Sequence, residues 1–316
     1  MLKGLIVLAV TAAGMSVYAQ SSSTTVTQIS PTEAQGATAI QESTLKMNDV
    51  IKNEKFEEDK DITDTRLKAD SGSLSRYSLK FSLSYFGPPV GDLSNENQPN
   101  PNGSIGPNET SVGGSISGRY RLDSKTAISM GTGISMLTPF HGVKRTDVKT
   151  PFISYDRSAR VWDAQMRNSF GASVTTVPNY RDVGQVGTLS YDNNLVYNFG
   201  SSGFAAGVDS SLSYFLYERD YEKADKKASR YFVGFYPQVK YNFTDKLNVY
   251  TSVALNFMNP RWEAEPVLLN QILSGRLGMG YGYSRDIYIA PYLNFYPENL
   301  RGDNTTFSVS TIFSIL

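Results

Sequence analysis

The 316-residue chain contains no cysteine and a single histidine, and its 30 basic residues are balanced by 30 acidic ones. The missing cysteine excludes a disulfide framework, a thiolate metal site and a lipidated cysteine behind a secretion signal. Zero net charge argues against nucleic acid as a partner, because binding it needs a basic surface that displaces counterions. After the first twenty residues no apolar run approaches the ~20 residues of a spanning helix. The mean hydropathy of -0.31 resembles that of a water-soluble protein. It equally suits a membrane barrel, in which half of every strand faces a polar interior.

What the sequence does contain begins with an export signal. Lys3 precedes the short apolar core "GLIVLAVTAAGM", and "SVYAQ" sets Val17 and Ala19 at the small positions before a cleavage site. Residues 1–19 are therefore expected to be a signal peptide that sends the chain beyond the inner membrane of a bacterium. Residues 20–74 are polar and poor in aromatics. "SSSTTVTQISPTEAQG" reads as an unstructured tether. Ile40, Thr44, Met47, Val50 and Ile51 give Ala39–Lys52 the period of a short amphipathic helix. The mixed charges of "NEKFEEDKDITDTRLKAD" read as a solvated face. The expectation is a periplasmic segment ahead of the main domain, in preference to a plug inside it.

From Ser75 to the end the period becomes two. In "RYSLKFSLSYF", Tyr77, Leu79, Phe81, Leu83 and Tyr85 share one face and Ser78, Lys80, Ser82 and Ser84 the other. "FVGFYPQVKYNF" and "FSVSTIFSIL" repeat the alternation. Short connections at "DSK", "GSSG", "TDK" and "SRD" alternate with long ones near residues 87–110, 138–153, 178–187, 218–229, 258–266 and 297–304. Short turns at one rim and long loops at the other characterise outer-membrane barrels. Antiparallel parity then requires one more turn, expected near Arg167-Asn168-Ser169, and brings the total to about twelve strands. The fold class is all-β: a transmembrane antiparallel barrel over 75–316. Tyr77, Tyr120, Tyr197, Phe199, Tyr241, Phe243, Tyr281, Tyr283 and Phe313 fall on the outward face near the short-turn rim, where an aromatic girdle belongs. Pro237 and Pro291 should mark bulges or ladder gaps, since proline lacks the amide donor.

With the signal "SVYAQ", the strand–turn alternation and the terminal "FSVSTIFSIL", residues 75–316 resemble bacterial porin-like outer-membrane barrels. The last strand departs from that pattern, because Leu316 stands at the end and Phe313 is the nearest ring. The polar segment and the hairpin "YFGPPVGDLS" are more narrowly similar to porin-like barrels of predatory bacteria, some of which assemble into oligomers enclosing lipid. The resemblance implies outer-membrane lipids and further copies of the chain as partners.

Nothing in the sequence assembles into a catalytic or cofactor motif. His141, in "PFHGVKR", has no serine two residues on and reads as a surface-loop histidine. The glycines of "GMGYGY" alternate within a strand and do not open a helix, so no nucleotide loop is implied. Asp220, Glu222 and Asp225 are interleaved with lysines, which disfavours calcium. The chain is expected to be non-enzymatic, without cofactor or metal.

The inward positions carry the functional content. They are small on the first three strands and bulky later, with Tyr236, Tyr250, Tyr288 and Tyr292 among the large ones. Inward charges are Lys80, Arg119, Arg121, Lys240 and Arg276 against Asp192 and Asp209. Tyr288 should face Gly282 and Tyr292 should face Gly278, rings covering glycines across a strand pair. On the outer face Gly114 and Gly118 are candidates for an oligomer contact, or else for a local kink. Two functions follow. One is a narrow passive channel for small hydrophilic solutes. The other is a self-associating structural barrel with a largely filled lumen, whose oligomer organises or encloses membrane lipid.

Overall fold

Alternating side chains from residue 77 onward do form strands, and the strands close on themselves. A computed structural model describes residues 54–100, 108–218, 229–260, 269–270 and 273–315. The expected signal peptide, tether and helix at 39–52 lie outside the described residues, as do the carboxylates at 220, 222 and 225. Twelve barrel strands follow in chain order. They are β1 (Tyr77–Pro89), β2 (Ser111–Arg121), β3 (Thr126–Leu137), β4 (Arg145–Val161), β5 (Ala164–Val174) and β6 (Gln185–Asn198). The second half comprises β7 (Phe204–Tyr217), β8 (Ser229–Asn242), β9 (Leu247–Pro260), β10 (Ser274–Ser284), β11 (Ile287–Phe295) and β12 (Thr306–Ile315). Each pairs antiparallel with the next, and β12 returns to β1 with Phe81 opposite Phe313. Closure removes the unpaired edges that an open sheet would present. A two-residue strand, Leu269–Asn270, adds to β9 beyond the end of its pairing with β10.

Four of the five short turns lie where the sequence places them. The fifth is corrected: β4 and β5 are joined at Trp162–Asp163, not near Arg167. Both residues have positive φ (47° and 65°), the geometry of a two-residue hairpin that favours Asn-Gly or Asp-Gly. Trp-Asp carries neither signature. The polar triplet Arg167-Asn168-Ser169 lies instead within the ladder, opposite Asn194, Asn193 and Asp192. Asn168 accepts from Tyr191 Oη at 2.7 Å and from Asn193 at 2.8 Å. Polar residues on both faces, Arg167 and Ser169 inward and Asn168 outward beside Phe170, make this stretch of strand look like a loop.

Ladder irregularities gather at the long-loop rim. Register shifts occur there at Phe86/Pro89, Gln185/Gly187 and Ser229/Tyr231, with one mid-wall at Thr132/Gly133 and one at Gly282/Ser284 near a short turn. Both prolines interrupt pairing on one side. The β8–β9 ladder skips from Phe235 to Gln238, and the β10–β11 ladder skips from Gly278–Tyr292 to Tyr281–Ile289. The opposite neighbours, Val208 and Val309, still pair with Pro237 and Pro291.

The outer wall is apolar and banded. Leu79, Met130, Ile153, Leu189, Leu212, Val239 and Leu277 are exposed along it. At the short-turn rim Tyr77 meets Tyr120 (5.3 Å between centroids), Tyr197 meets Phe199 (5.2 Å), and Tyr241 meets both Phe204 (4.8 Å) and Phe243 (5.0 Å). Phe313 stacks on Phe81 at 4.6 Å. Such rings at strand ends suit headgroup depth, and the exposed apolar belt between the rims suits acyl chains. The fold is that of a membrane-spanning outer-membrane barrel.

Candidate functional site

Residues 54–76 do not lie outside the barrel. They enter its short-turn mouth, which corrects the expectation of a wholly external segment for this part of it. The segment closes on itself: Lys55 bridges Ser75, and the Phe56 and Arg76 amides donate to Leu74 and Glu54 carbonyls at 2.9 and 2.8 Å. At its apex is the helix α1, Thr65–Asp70, whose N-cap Asp64 accepts from the Leu67 amide. The cap side chain satisfies a donor that the first turn leaves orphaned. Gly72, at φ 71°, turns the chain back towards β1 beside the Arg119 side chain.

The helix seats two small apolar contacts on the wall. Ile62 and Leu67 pack on Val196 and Ala205, and Ala69 packs on Tyr288, Ala290 and Ile312 with Tyr250 alongside. Most of the remaining wall contacts are charged or polar. Lys240 pairs with Asp64, Lys80 with Asp70 (3.2 Å) and Arg66 with Asp209 (2.8 Å). Lys125 reaches Asp61 at 2.5 Å. Arg121 donates to the Ser71 (2.6 Å), Gly72 (3.2 Å) and Ser73 (2.9 Å) carbonyls, and Arg285 also donates to Gly72 (2.6 Å). Gln165 accepts from the amides of Thr63 and Asp64 at 2.7 and 2.8 Å. Burial opposes ionisation of Asp70, but Lys80, Arg167 and Arg66 outweigh it and hold the carboxyl well below the usual range.

Beside the segment runs a triad on the wall. Asp156 lies between Arg119 (3.2 Å) and Arg167 (2.6 Å), and the Arg119 and Asp156 side chains are 3% and 4% exposed. Asp192 accepts from Ser211 at 2.7 Å, and Arg276 lies over the Tyr292 ring at 5.3 Å. Tyr288 faces Gly282 and Tyr292 faces Gly278 across the β10–β11 pair. Lys80, Arg119, Arg121, Lys240, Tyr288 and Tyr292 are buried. Tyr236 faces Asp209 across the β7–β8 pair.

Several participants escape a sequence-only reading. Arg167 and Asp156 are missed because the misplaced turn puts Arg167 in a loop and leaves β4 without a register. Asp64, Arg66 and Asp70 are missed because mixed charge usually means solvent exposure, whereas here each charge meets an opposite one on the wall. The only sequence clue is the cap pattern at Asp64. His141 lies in the loop after β3, its amide donating to Thr138 at 3.2 Å. Among the described residues no three His, Asp or Glu gather as metal ligands.

The two outward glycines part company. A Cβ on Gly114 would run into the Ser82 carbonyl and come within 2.9 Å of Leu83 Cα. This glycine lets β2 approach the β1 backbone, which accounts for it without a neighbouring subunit. A Cβ on Gly118 would meet only the Met130 carbonyl at 3.9 Å, so open space lies outside it.

No family model matches the chain, and no curated protein matches it. Among solved structures, an outer-membrane channel from Pseudomonas putida F1 is similar at 9% identity and a TM-score of 0.49, covering 78% of this chain and 98% of that one. The NanC porin is similar at 7% identity and a TM-score of 0.42, covering 75% and 100%. Salmonella typhi OmpF, solved with daunomycin, is similar at 7% identity and a TM-score of 0.39, covering 76% and 97%. The fold assignment rests on the strand pairing itself.

Proposed function

We propose that the protein is a non-enzymatic outer-membrane barrel whose lumen is a passive route for small hydrophilic solutes, stoppered at its short-turn mouth by residues 54–76. Short turns face the periplasm in such barrels, so the stopper is periplasmic and the long loops face outward. The observation that carries this reading is the nature of the docking: charged groups on the segment meet charged groups on the wall, with little apolar seal. Buried ion pairs add little net stability, because desolvation offsets their attraction. Water entering the vacated mouth would solvate both sides again, so the contact is suited to reversal. A permanent filler would gain more from apolar packing.

A disulfide lock tests this. The Cβ position of Gly282 lies 3.3 Å from Thr65 Cβ, within a few tenths of an ångström of disulfide geometry. The chain has no cysteine of its own, so the double variant Thr65→Cys/Gly282→Cys can form one intramolecular bridge. Oxidised protein in planar bilayers should be silent, and reduction should release conductance steps. Equal conductance in both states would overturn the stopper.

A second reading is a self-associating structural barrel whose filled lumen conducts nothing. The Tyr292 and Tyr250 side chains against Gly278 and the Tyr288 ring over Gly280 favour it from within, and the open outer face at Gly118 from without. Silence in every redox state, with a stable homo-oligomer in lipid, would favour it over the channel.

A further inference from the structure

We infer that the passage admits anions in preference to cations, and that residues 54–76 carry the countercharge of a basic collar. This inference rests on the channel reading above. The wall groups that hold the segment are markedly unequal in sign. Lys80, Arg121, Lys125, Lys240 and Arg285 are cationic, and they come from β1, β2, the β2–β3 turn, β8 and the β10–β11 turn. Against them, among the described residues, the wall carboxylate that pairs with the segment is Asp209, and Asp286 pairs with Arg285 within the collar at 2.9 Å.

The segment mirrors this inequality. It brings Asp61, Asp64 and Asp70 to Lys125, Lys240 and Lys80, and Glu58 lies 3.7 Å from Arg285. Its arginine at position 66 goes to the wall carboxylate Asp209. Three of the five cations meet a segment aspartate directly, while Arg121 and Arg285 are held chiefly by backbone carbonyls at 71–73, so the segment offsets much of the collar charge. The chain as a whole is neutral, which is why total charge conceals the collar.

Withdrawing the segment removes those carboxylates together. The collar cations then line the mouth, and the triad beside them adds to the same sign, since Arg119 and Arg167 share one aspartate. A constricted mouth lined by one sign of charge between low-dielectric walls concentrates the opposite ion. The solute class is therefore small anions, inorganic or carboxylate-bearing.

The experiment uses the reduced Thr65→Cys/Gly282→Cys chain in a planar bilayer under a potassium chloride gradient. The reversal potential should report a chloride preference of roughly tenfold over potassium. Adding Lys80→Gln and Lys240→Gln should bring the ratio towards one, and this readout does not depend on how often the segment leaves. Because those lysines anchor the stopper, barrel integrity is checked by heat-modifiable migration. Conductance with a cation preference, or with none, overturns this inference and leaves the channel reading standing. Absence of conductance in the reduced state removes both.

Discussion

The two mouths of the barrel are finished by different means. At the short-turn rim the ladders run almost without shifts, and order comes from side chains: paired rings outside, paired charges within. At the long-loop rim three register shifts bend the strands, and backbone bonds between the loops add order among the described residues. There the amides of Val90, Thr110 and Thr138 donate to carbonyls of Thr305, Glu96 and Thr110 at 2.7, 2.7 and 2.8 Å. The aromatic pairing is sparser too, with Tyr85 against Phe140 at 5.1 Å. The difference shows where specificity resides. A rim built from side-chain complementarity can be switched by exchanging partners, whereas a rim built from backbone is altered only by changing the fold.

The largest effect expected is on backbone order. Gly114→Trp should prevent barrel formation, because its Cβ has no room against β1, while Gly118→Trp should fold normally. Heat-modifiable migration on a gel reads this directly, and a folded Gly114 variant would break the distinction between the rims. Next comes charge. Asp64→Ala strands a buried Lys240, with side chains 9% and 4% exposed, and losing one partner of such a pair costs about 3–5 kcal/mol. Protease access to residues 54–76 and channel open probability should rise by ~100-fold or more if docking bears that cost. The matching change at the other rim, Glu96→Ala, removes a solvent-exposed pair with Lys144 (2.7 Å) and should leave stability unchanged within error.

A smaller effect is expected from the girdle. Tyr241 touches two rings, so Tyr241→Ala should lower barrel stability in vesicles by about 1–2 kcal/mol beyond lost burial, against less for Phe140→Ala with its single partner. The smallest effect is that of acid. The Asp70 carboxyl in the folded chain ionises below the unfolded value of about 3.9. Its contribution to docking is therefore fully present above that range and is lost only as the pH falls through the lower folded value. Conductance should not change between about pH 7 and about pH 5, and opening across that interval would show that docking depends on other groups.

Much of this molecule could be written down from its residues, and the limits have physical causes. Period-two alternation from Tyr77 onward, turn chemistry and antiparallel parity led to twelve strands. Those signals are local, and a strand's two faces are dictated by the solvents they meet. Pro237 and Pro291 announced ladder gaps because a missing donor is a property of the residue alone. The placement of Trp162–Asp163 was not legible, because its positive φ values are imposed by the strands it joins and not invited by its side chains. Nor was the role of Asp64, Arg66 and Asp70. A carboxylate beside lysines in the sequence looks solvated, and whether it is solvated depends on what the rest of the chain places opposite it. The sequence by itself determined a barrel with a polar inside, an apolar outside and an aromatic rim, since each follows from neighbours one or two residues apart. That residues 54–76 occupy the mouth follows instead from the fold, because charges from six strands and turns, with Arg285 lying 213 residues from its partner Gly72, converge on one short segment.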